Sequence, residues 1–284
     1  LPMDLGHEPA GVVVESFVGS IFKKGERVAI EPGRACLSCM WCLKGKHNLC
    51  EKGIFMVTNS QGAFADYVIV RETQLAKIPK SMSYEKATLM EPLGVGLHAV
   101  RLLQVDPFES AAVIGSGPIG LSIMFVLKKL GFKDVYMVDK LQYRVRFAKK
   151  MGATHASMFK DAKEEIRKWT NEKGVRYVFD TGGTRDSIDL AVNVVGVSGS
   201  LALVGIPVED FVEINPHKAR TKEIIIQNVR RSNQTLEDCI KLFSDDKNIE
   251  KMITHKFRLK HIQKVFNMVG KYKNNVIKCV IFND

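Results

Sequence analysis

A glycine-rich segment in the middle of the chain restricts the possible folds most strongly. Gly115, Gly117 and Gly120 fit the pattern G-x-G-x-x-G, directly after a short apolar run at 111–114. Asp139 ends the next predicted strand, about 20 residues further on. Glycines in this context permit a tight turn and the close approach of a pyrophosphate to a helix N-terminus. The segment therefore predicts a dinucleotide site rather than a purely structural turn.

The sequence around this segment divides into three regions. Residues 1–92 are rich in Gly, Pro and Val, and their short β-like runs predict a small irregular β-barrel. Residues 93–225 alternate predicted strands with helices, which indicates a parallel, doubly wound sheet. The last region opens with a strand at 224–226 and ends with a strand at 276–282. The β-like runs of the first region are 11–15, 27–30 and 64–70.

The chain is basic, with a net charge of +11, but its cations are spread along the whole sequence. The densest stretch, 251–278, interleaves them with apolar residues at helix-like spacing, which predicts an amphipathic helix with a basic solvated face rather than a nucleic-acid patch. No apolar run reaches the roughly 18 residues of a membrane span. We expect a cytoplasmic protein with no nucleic-acid or membrane partner, whose charge favours an anionic cofactor or substrate.

Four of the 6 cysteines form a cluster with two-residue and seven-residue gaps: Cys36, Cys39, Cys42 and Cys50. Zinc prefers four thiolates in a tetrahedron, and a loop with such gaps can wrap them around one ion. Iron–sulfur clusters commonly show other spacings and a following Pro, and metal-free thiols are the remaining alternative. The spacing favours zinc. Because all four positions would be protein ligands, none is left for a substrate, and this zinc would be structural.

Two further features, an adjacent His-Glu pair and a single Glu, are weaker signals. His7 and Glu8 are adjacent and precede a β-like run, but such a pair is more often incidental than a metal site. Glu91 lies in a mostly apolar stretch at a predicted domain junction. It is either a paired buried carboxylate or a site residue.

The order of three motifs, Gly6-His7-Glu8, the four-cysteine loop and the glycine-rich segment, resembles the zinc-containing medium-chain alcohol dehydrogenase family. The match is closest to the sorbitol/polyol dehydrogenase branch, with threonine dehydrogenase as a near relative. The resemblance implies an α/β fold. A Rossmann domain with a doubly wound parallel sheet (93–225) would bind NAD, and a GroES-like β-barrel catalytic domain, N-terminally incomplete, would comprise 1–92 and a return of the chain at 226–284. Supporting segments are 25–33, 62–67 and 91–98.

The resemblance also implies a second, catalytic zinc. His7 and Glu8 match two of its ligands, and Glu91 matches a carboxylate beside it that contacts water or substrate. Asp139 would accept hydrogen bonds from the ribose and favour NAD over NADP, a preference that the nearby Arg144 would soften. The cofactor-contacting positions are Gly115, Gly117, Ile119, Gly120, Asp139, Arg144, Val204, Gly205 and Ile206.

Two arginines match positions near the substrate in polyol dehydrogenases. Arg230 fits the pattern of that branch. Arg231 replaces an aromatic residue with a second cation, which makes sorbitol itself doubtful and an acidic or phosphorylated polyol conceivable. The implied activity is the zinc-dependent, NAD-linked oxidation of a secondary alcohol of a polyol or sugar-type substrate to the ketone, by a homo-oligomer (dimer or tetramer).

One family feature has no counterpart in this sequence. The third catalytic zinc ligand of the family is a Cys well upstream of Gly6, and the chain opens on this motif without Met at position 1. We expect a preceding segment. Three alternatives stay open: an incompletely represented polyol-type enzyme, an N-terminally truncated and catalytically impaired NAD-binding relative, and a threonine-type dehydrogenase.

Overall fold

A computed structural model of the chain describes residues 4–58 and 62–283. The chain forms two compact units, one combining Leu1–Gly94 with Ser232–Asp284 and the other comprising Val95–Arg231. Within the described ranges, no helix combines the length and apolarity needed to cross a membrane.

The strands, in chain order, are β1 (Ala10–Val12), β2 (Arg27–Ile30), β3 (Gly33–Arg34), β4 (Ile54–Phe55), β5 (Leu75–Lys77), β6 (Ala111–Ile114), β7 (Val135–Asp139), β8 (His155–Met158), β9 (Val175–Asp180), β10 (Val195–Leu203), β11 (Ile225–Asn228), β12 (Ile253–Arg258) and β13 (Lys278–Phe282). The α-helices are α1 (Met40–Leu43), α2 (Tyr84–Thr88), α3 (Met90–Leu102), α4 (Pro118–Lys129), α5 (Gln142–Lys150), α6 (Phe159–Trp169), α7 (Arg185–Val194), α8 (Pro216–Thr221), α9 (Leu236–Phe243) and α10 (Ile262–Gly270). Short 3-10 helices cover His47–Leu49, Met56–Thr58, Glu72–Gln74, Ile249–Met252, Leu259–His261 and Lys273–Asn275.

The first unit contains an antiparallel sheet in the order β1-β2-β5 and the two-stranded pairs β3-β4 and β12-β13. The strand predicted over 64–70 is not formed. Buried and exposed side chains do alternate in this segment. Val68 and Val70 pack against a small core that includes Val28, while Tyr67 and Ile69 are exposed. Alternation makes a strand only where another strand pairs with it, and none does so within the described residues.

The amphipathic helix predicted over 251–278 is also only partly correct. The helical part is confined to α10, and β12 occupies the beginning of the stretch. β12 pairs in parallel with β13, from Ile253 opposite Lys278 to Arg258 opposite Phe282, with an irregularity between Ile253 and His255. Pairing with a distant strand therefore overrides the helix-like spacing of the apolar residues.

The second unit is built on a six-stranded sheet in the order β11-β10-β9-β6-β7-β8, and every neighbouring pair is parallel. β6 and β7 are buried along their full length, as expected of near-continuous apolar runs in a parallel sheet. The strand order reverses between β6 and β9. In doubly wound sheets, ligands bind outside the carboxyl ends of the strands at such a reversal. A ligand is therefore expected where β6, β7, β9 and β10 end.

Candidate active site and metal centres

The four predicted zinc ligands of the cysteine loop converge in the first unit, with their sulfur atoms within 4.8 Å of one another. The Sγ atoms of Cys36 and Cys42 are 3.9 Å apart, and those of Cys39 and Cys50 are 4.0 Å apart. Four sulfurs at about 2.3 Å from one tetrahedral zinc lie about 3.8 Å from each other. The loop geometry therefore fits a zinc ion with four thiolate ligands.

The pKa values of two thiols in the loop are shifted in opposite directions. Hydrogen bonds from the Ser38 hydroxyl and from the backbone N–H groups of Ser38 and Cys39 lower the pKa of Cys36 to about 5. Burial raises the pKa of Cys42 to about 12. A metal ion that binds thiolates must displace the proton of Cys42, whereas Cys36 is ready to bind as the anion. The loop therefore combines a thiol that ionises readily, Cys36, with one whose ionisation depends on the metal, Cys42.

A residue that the sequence did not single out secures this loop. Asn233 Oδ1 accepts hydrogen bonds from the backbone N–H of His47 at 3.0 Å and of Asn48 at 3.5 Å. Its Nδ2 donates to the Gly45 carbonyl at 3.0 Å, and Gln234 Nε2 donates to the same carbonyl at 2.8 Å. Because these partners lie about 190 positions apart in the chain, local spacing gives no signal for them.

The second predicted group, His7, Glu8 and Glu91, also comes together in the first unit. One ligand atom from each lies within 4.8 Å of the other two. His7 and Glu8 directly precede β1, and the loop before them is held by hydrogen bonds from Ala63 N to Gly6 O at 2.8 Å and from Phe64 N to Leu5 O at 3.0 Å. The cluster joins one imidazole to two carboxylates, a donor set that zinc accepts.

Glu91 reaches this cluster from the first turn of α3 and is buried. A carboxylate is favourable there because the N-terminus of a helix carries a partial positive charge. Gly94 follows one turn later, and a Cβ at that position would lie 2.6 Å from Thr235 Oγ1. Glycine therefore allows this part of α3 to pack closely against the segment before α9.

A lysine that no sequence motif indicates forms an ion pair with Glu8. Lys278, at the start of β13, forms an ion pair and hydrogen bond through Nζ with Glu8 Oε2. Glu8 Oε1 lies 4.0 Å from His7 Nε2. No local motif marks Lys278, since its partner lies 270 positions away.

The glycine-rich segment of the second unit adopts the turn that its motif predicts, between β6 and α4. Gly115 has φ +102°, and a Cβ on Gly120 would overlap the Gly115 carbonyl. Gly117 caps α4, whose first residue is Pro118, a favoured residue at that position. The glycines thus clear the space in front of a helix N-terminus, where an anionic phosphate group would be stabilised.

Asp139 ends β7 beside this turn and is buried. Its Oδ2 accepts a hydrogen bond from Ser116 N at 2.8 Å, and its Oδ1 accepts one from Leu141 N at 2.8 Å. Arg144 Nη1 lies 3.7 Å from Asp139 Oδ2. An ionised carboxylate offers about four acceptor positions, so Asp139 can take further hydrogen bonds from a ribose.

Three further predicted cofactor positions, Val204, Gly205 and Ile206, follow β10 at the same edge of the sheet. Val204 N and Gly205 N donate to the Asp180 carbonyl at 2.8 and 3.0 Å, which joins this segment to the end of β9. Burial raises the pKa of the Asp180 carboxyl group. Ile206 is 89% exposed. Ile119 lies half-buried in the first turn of α4.

The two predicted substrate arginines lie at the end of the second unit. Arg230 and Arg231 are exposed, and Arg231 adopts a left-handed backbone conformation with φ +54°. Their role as substrate contacts stays a prediction.

Two family models match this chain. Residues 1–80 match the alcohol dehydrogenase GroES-like domain, and residues 118–245 match the zinc-binding dehydrogenase family. The chain is 35% identical to a sorbitol dehydrogenase of Bacillus subtilis (strain 168), covering 99% of this chain and 81% of that protein. It is 33% identical to an L-idonate 5-dehydrogenase of Vitis vinifera, covering 99% and 79%.

The fold comparison agrees. A crystal structure of an oxidoreductase/dehydrogenase of unknown specificity from Escherichia coli superposes with a TM-score of 0.93 at 34% identity, covering 99% of this chain and 82% of that one. The prediction of a doubly wound parallel sheet combined with a GroES-like domain is thereby confirmed. The protein is an oxidoreductase, and the chain belongs to the zinc-containing medium-chain alcohol dehydrogenase family, in its sorbitol/polyol dehydrogenase branch.

Proposed function

We propose that this dehydrogenase oxidises a secondary hydroxyl group of a polyol or sugar-type substrate to the ketone, with NAD as hydride acceptor and a zinc ion at His7 and Glu8. The observation that carries the proposal is the convergence of His7, Glu8 and Glu91, whose ligand atoms lie within 4.8 Å of one another. The zinc at the four cysteines is structural, since its ligands are all supplied by the loop.

His7, Glu8 and Glu91 have different roles in the proposed reaction. His7 and Glu8 would hold the ion, and the buried carboxylate of Glu91 would accept a hydrogen bond from the substrate hydroxyl group or from water. The zinc would supply Lewis-acid polarisation of the hydroxyl group, whose proton would pass to water while the hydride of the carbinol carbon passes to the nicotinamide. The protein supplies the position of these groups, which is its main contribution in cofactor enzymes.

The preference for NAD follows from Asp139. Its carboxylate has acceptor capacity left for the ribose hydroxyls and would repel a 2′-phosphate. Arg144, 3.7 Å away, offsets part of that repulsion. The preference therefore depends on the carboxylate, and Asp139→Asn should lower activity with NAD while narrowing the difference between NAD and NADP.

The substrate class follows from the polyol and sugar-acid names of the relatives together with Arg230 and Arg231. Two adjacent cations favour a substrate that carries a carboxylate or phosphate as well as hydroxyl groups. A neutral polyol offers no anionic group for either arginine to bind. Arg231→Phe should therefore shift the preference from anionic toward neutral polyols.

The experiment is a nicotinamide reduction screen on the protein expressed from its own gene. The panel contains neutral polyols, sugar acids, polyol phosphates and threonine, each with NAD and with NADP. The proposal expects turnover of a polyol or sugar-type alcohol with NAD, and its loss in His7→Ala. No turnover of any polyol or sugar acid by zinc-loaded protein would contradict it, and turnover of threonine alone would assign a threonine-type activity instead.

A further inference from the structure

The two carboxylate oxygens of Glu8 face different neighbours: a lysine and the predicted metal ligand His7. Lys278 Nζ contacts Oε2, while Oε1 lies 4.0 Å from His7 Nε2, on the side of the predicted metal ligands. The side chains of Lys278 and Glu8 are 14% and 20% exposed. An ion pair with so little exposure is screened much less than one at the surface.

The position of Lys278 is set by the strand pair rather than by its own side chain. β13 is held in register against β12, with Lys278 opposite Ile253. Thr254 Oγ1 accepts a hydrogen bond from Ile277 N at 3.0 Å and donates to the Lys278 carbonyl at 3.2 Å. The backbone is thus fixed on both sides of Lys278, and Ile277 and Val280 anchor it in the core.

We infer that Lys278 is a positioning residue for the catalytic zinc. It occupies one oxygen of Glu8 and so presents the other, Oε1, to the metal in a fixed orientation. The inference rests on the zinc site of the proposed function. It also explains why a lysine pairs with a carboxylate already needed as a ligand: an outer partner orients the ligand and limits it to one metal-binding oxygen.

The test measures the affinity of each zinc separately, by competition with a chromophoric chelator. Removal of an outer-shell partner typically lowers metal affinity about 10–100-fold. We expect Lys278→Met to weaken the second zinc by that factor and to leave the zinc of the cysteine loop unchanged. Lys278→Arg keeps a cation in reach of Glu8 and should restore most of the affinity.

Lys256→Met is the matched control. Lys256 lies on the neighbouring strand β12 and pairs with Glu85 at 2.8 Å, a carboxylate outside the metal cluster. It removes the same charge and should leave both zinc affinities unchanged. The inference is overturned if Lys278→Met binds the second zinc as tightly as the parent protein, or if it weakens both zincs equally, which would indicate a general loss of structure. A parent protein that binds only the cysteine-loop zinc would instead contradict the proposed function itself.

Discussion

The two clusters of metal-ligating side chains in the first unit are built in opposite ways. The cysteine loop draws all four candidate ligands from residues 36–50, and three hydrogen bonds of Asn233 hold the loop from outside. The His7 cluster draws its candidate ligands from the two ends of the stretch between His7 and Glu91 and its supporting cation from position 278. The first is a closed site made by one loop, and the second is an open site made by the fold.

In the proposed function, the cysteine loop stabilises the fold and the His7 cluster activates the substrate. Under the proposed function, four thiolates around one ion would leave no position for a substrate, so the loop zinc would only stabilise the fold. A zinc ion bound by one imidazole and carboxylates would keep a position at which water and substrate can exchange. One of these carboxylates is also bound by Lys278. We therefore expect damage to the loop to appear in stability and damage to the His7 cluster to appear in catalysis.

Cys42→Ser is the largest perturbation that we predict. Metal-binding free energy is folding free energy at a structural site, so loss of this buried ligand should lower the free energy of unfolding by about 5 kcal/mol or more. Thermal unfolding and zinc content measure the effect. Cys239→Ala removes a buried thiol outside the loop and should keep the zinc content of the parent protein. Full zinc content in Cys42→Ser would contradict the assignment of the loop.

His7→Ala should affect catalysis rather than folding. A Lewis acid contributes several kcal/mol to transition-state stabilisation, so the loss of kcat/KM should be roughly 10³-fold. The melting temperature should change little, because 44% of the His7 side chain is exposed and the proposed site leaves a position open for the substrate. His261→Ala, at an exposed position of the same unit, is the matched control. Unchanged kcat/KM in His7→Ala would remove the cluster from the mechanism.

Asn233→Ala asks whether the loop depends on support from the rest of the unit. The substitution removes the side-chain acceptor of the backbone N–H groups of His47 and Asn48, at a cost of about 1–3 kcal/mol, while Gln234 Nε2 still donates to the Gly45 carbonyl. Because the four thiolates are local to the loop, zinc should stay bound with parent affinity. This outcome would contrast with Lys278→Met, where the outer partner decides metal affinity. Loss of the loop zinc in Asn233→Ala would erase the contrast.

Lys256→Met should have the smallest effect, and its effect should depend on pH. A hydrogen bond from Lys256 lowers the pKa of Glu85, so the pair stabilises the fold above the ordinary pKa of Glu and loses this contribution as pH falls through the lowered value. Partly exposed pairs of this kind contribute at most about 1 kcal/mol. Urea unfolding at neutral pH should show this small loss, and in acid the variant and parent proteins should converge. An equal loss at both pH values would point to packing instead.

What the sequence could predict depends on how far apart the cooperating residues lie. The cysteine loop and the turn at Gly115 are local, so spacing alone was informative. Lys278 and Asn233 act on partners 270 and 186 positions away, which no local pattern encodes.

The errors in secondary structure have the same origin. Residues 253–258 show helix-like spacing but form β12 because β13 is available to pair with them. Residues 64–70 alternate correctly yet lack a partner strand within the described part of the chain. In both cases a tertiary neighbour, absent from the local sequence, decided the outcome.

The most direct test of this account is stepwise removal of zinc, with activity and thermal unfolding followed on the same samples. The account predicts about two zinc ions per chain. The first to leave should abolish alcohol oxidation with little change in melting temperature, and the second should lower the melting temperature sharply. Alcohol oxidation that survives loss of the weaker zinc, or a fully active protein with only one, would contradict the division between a bracing site and a catalytic one.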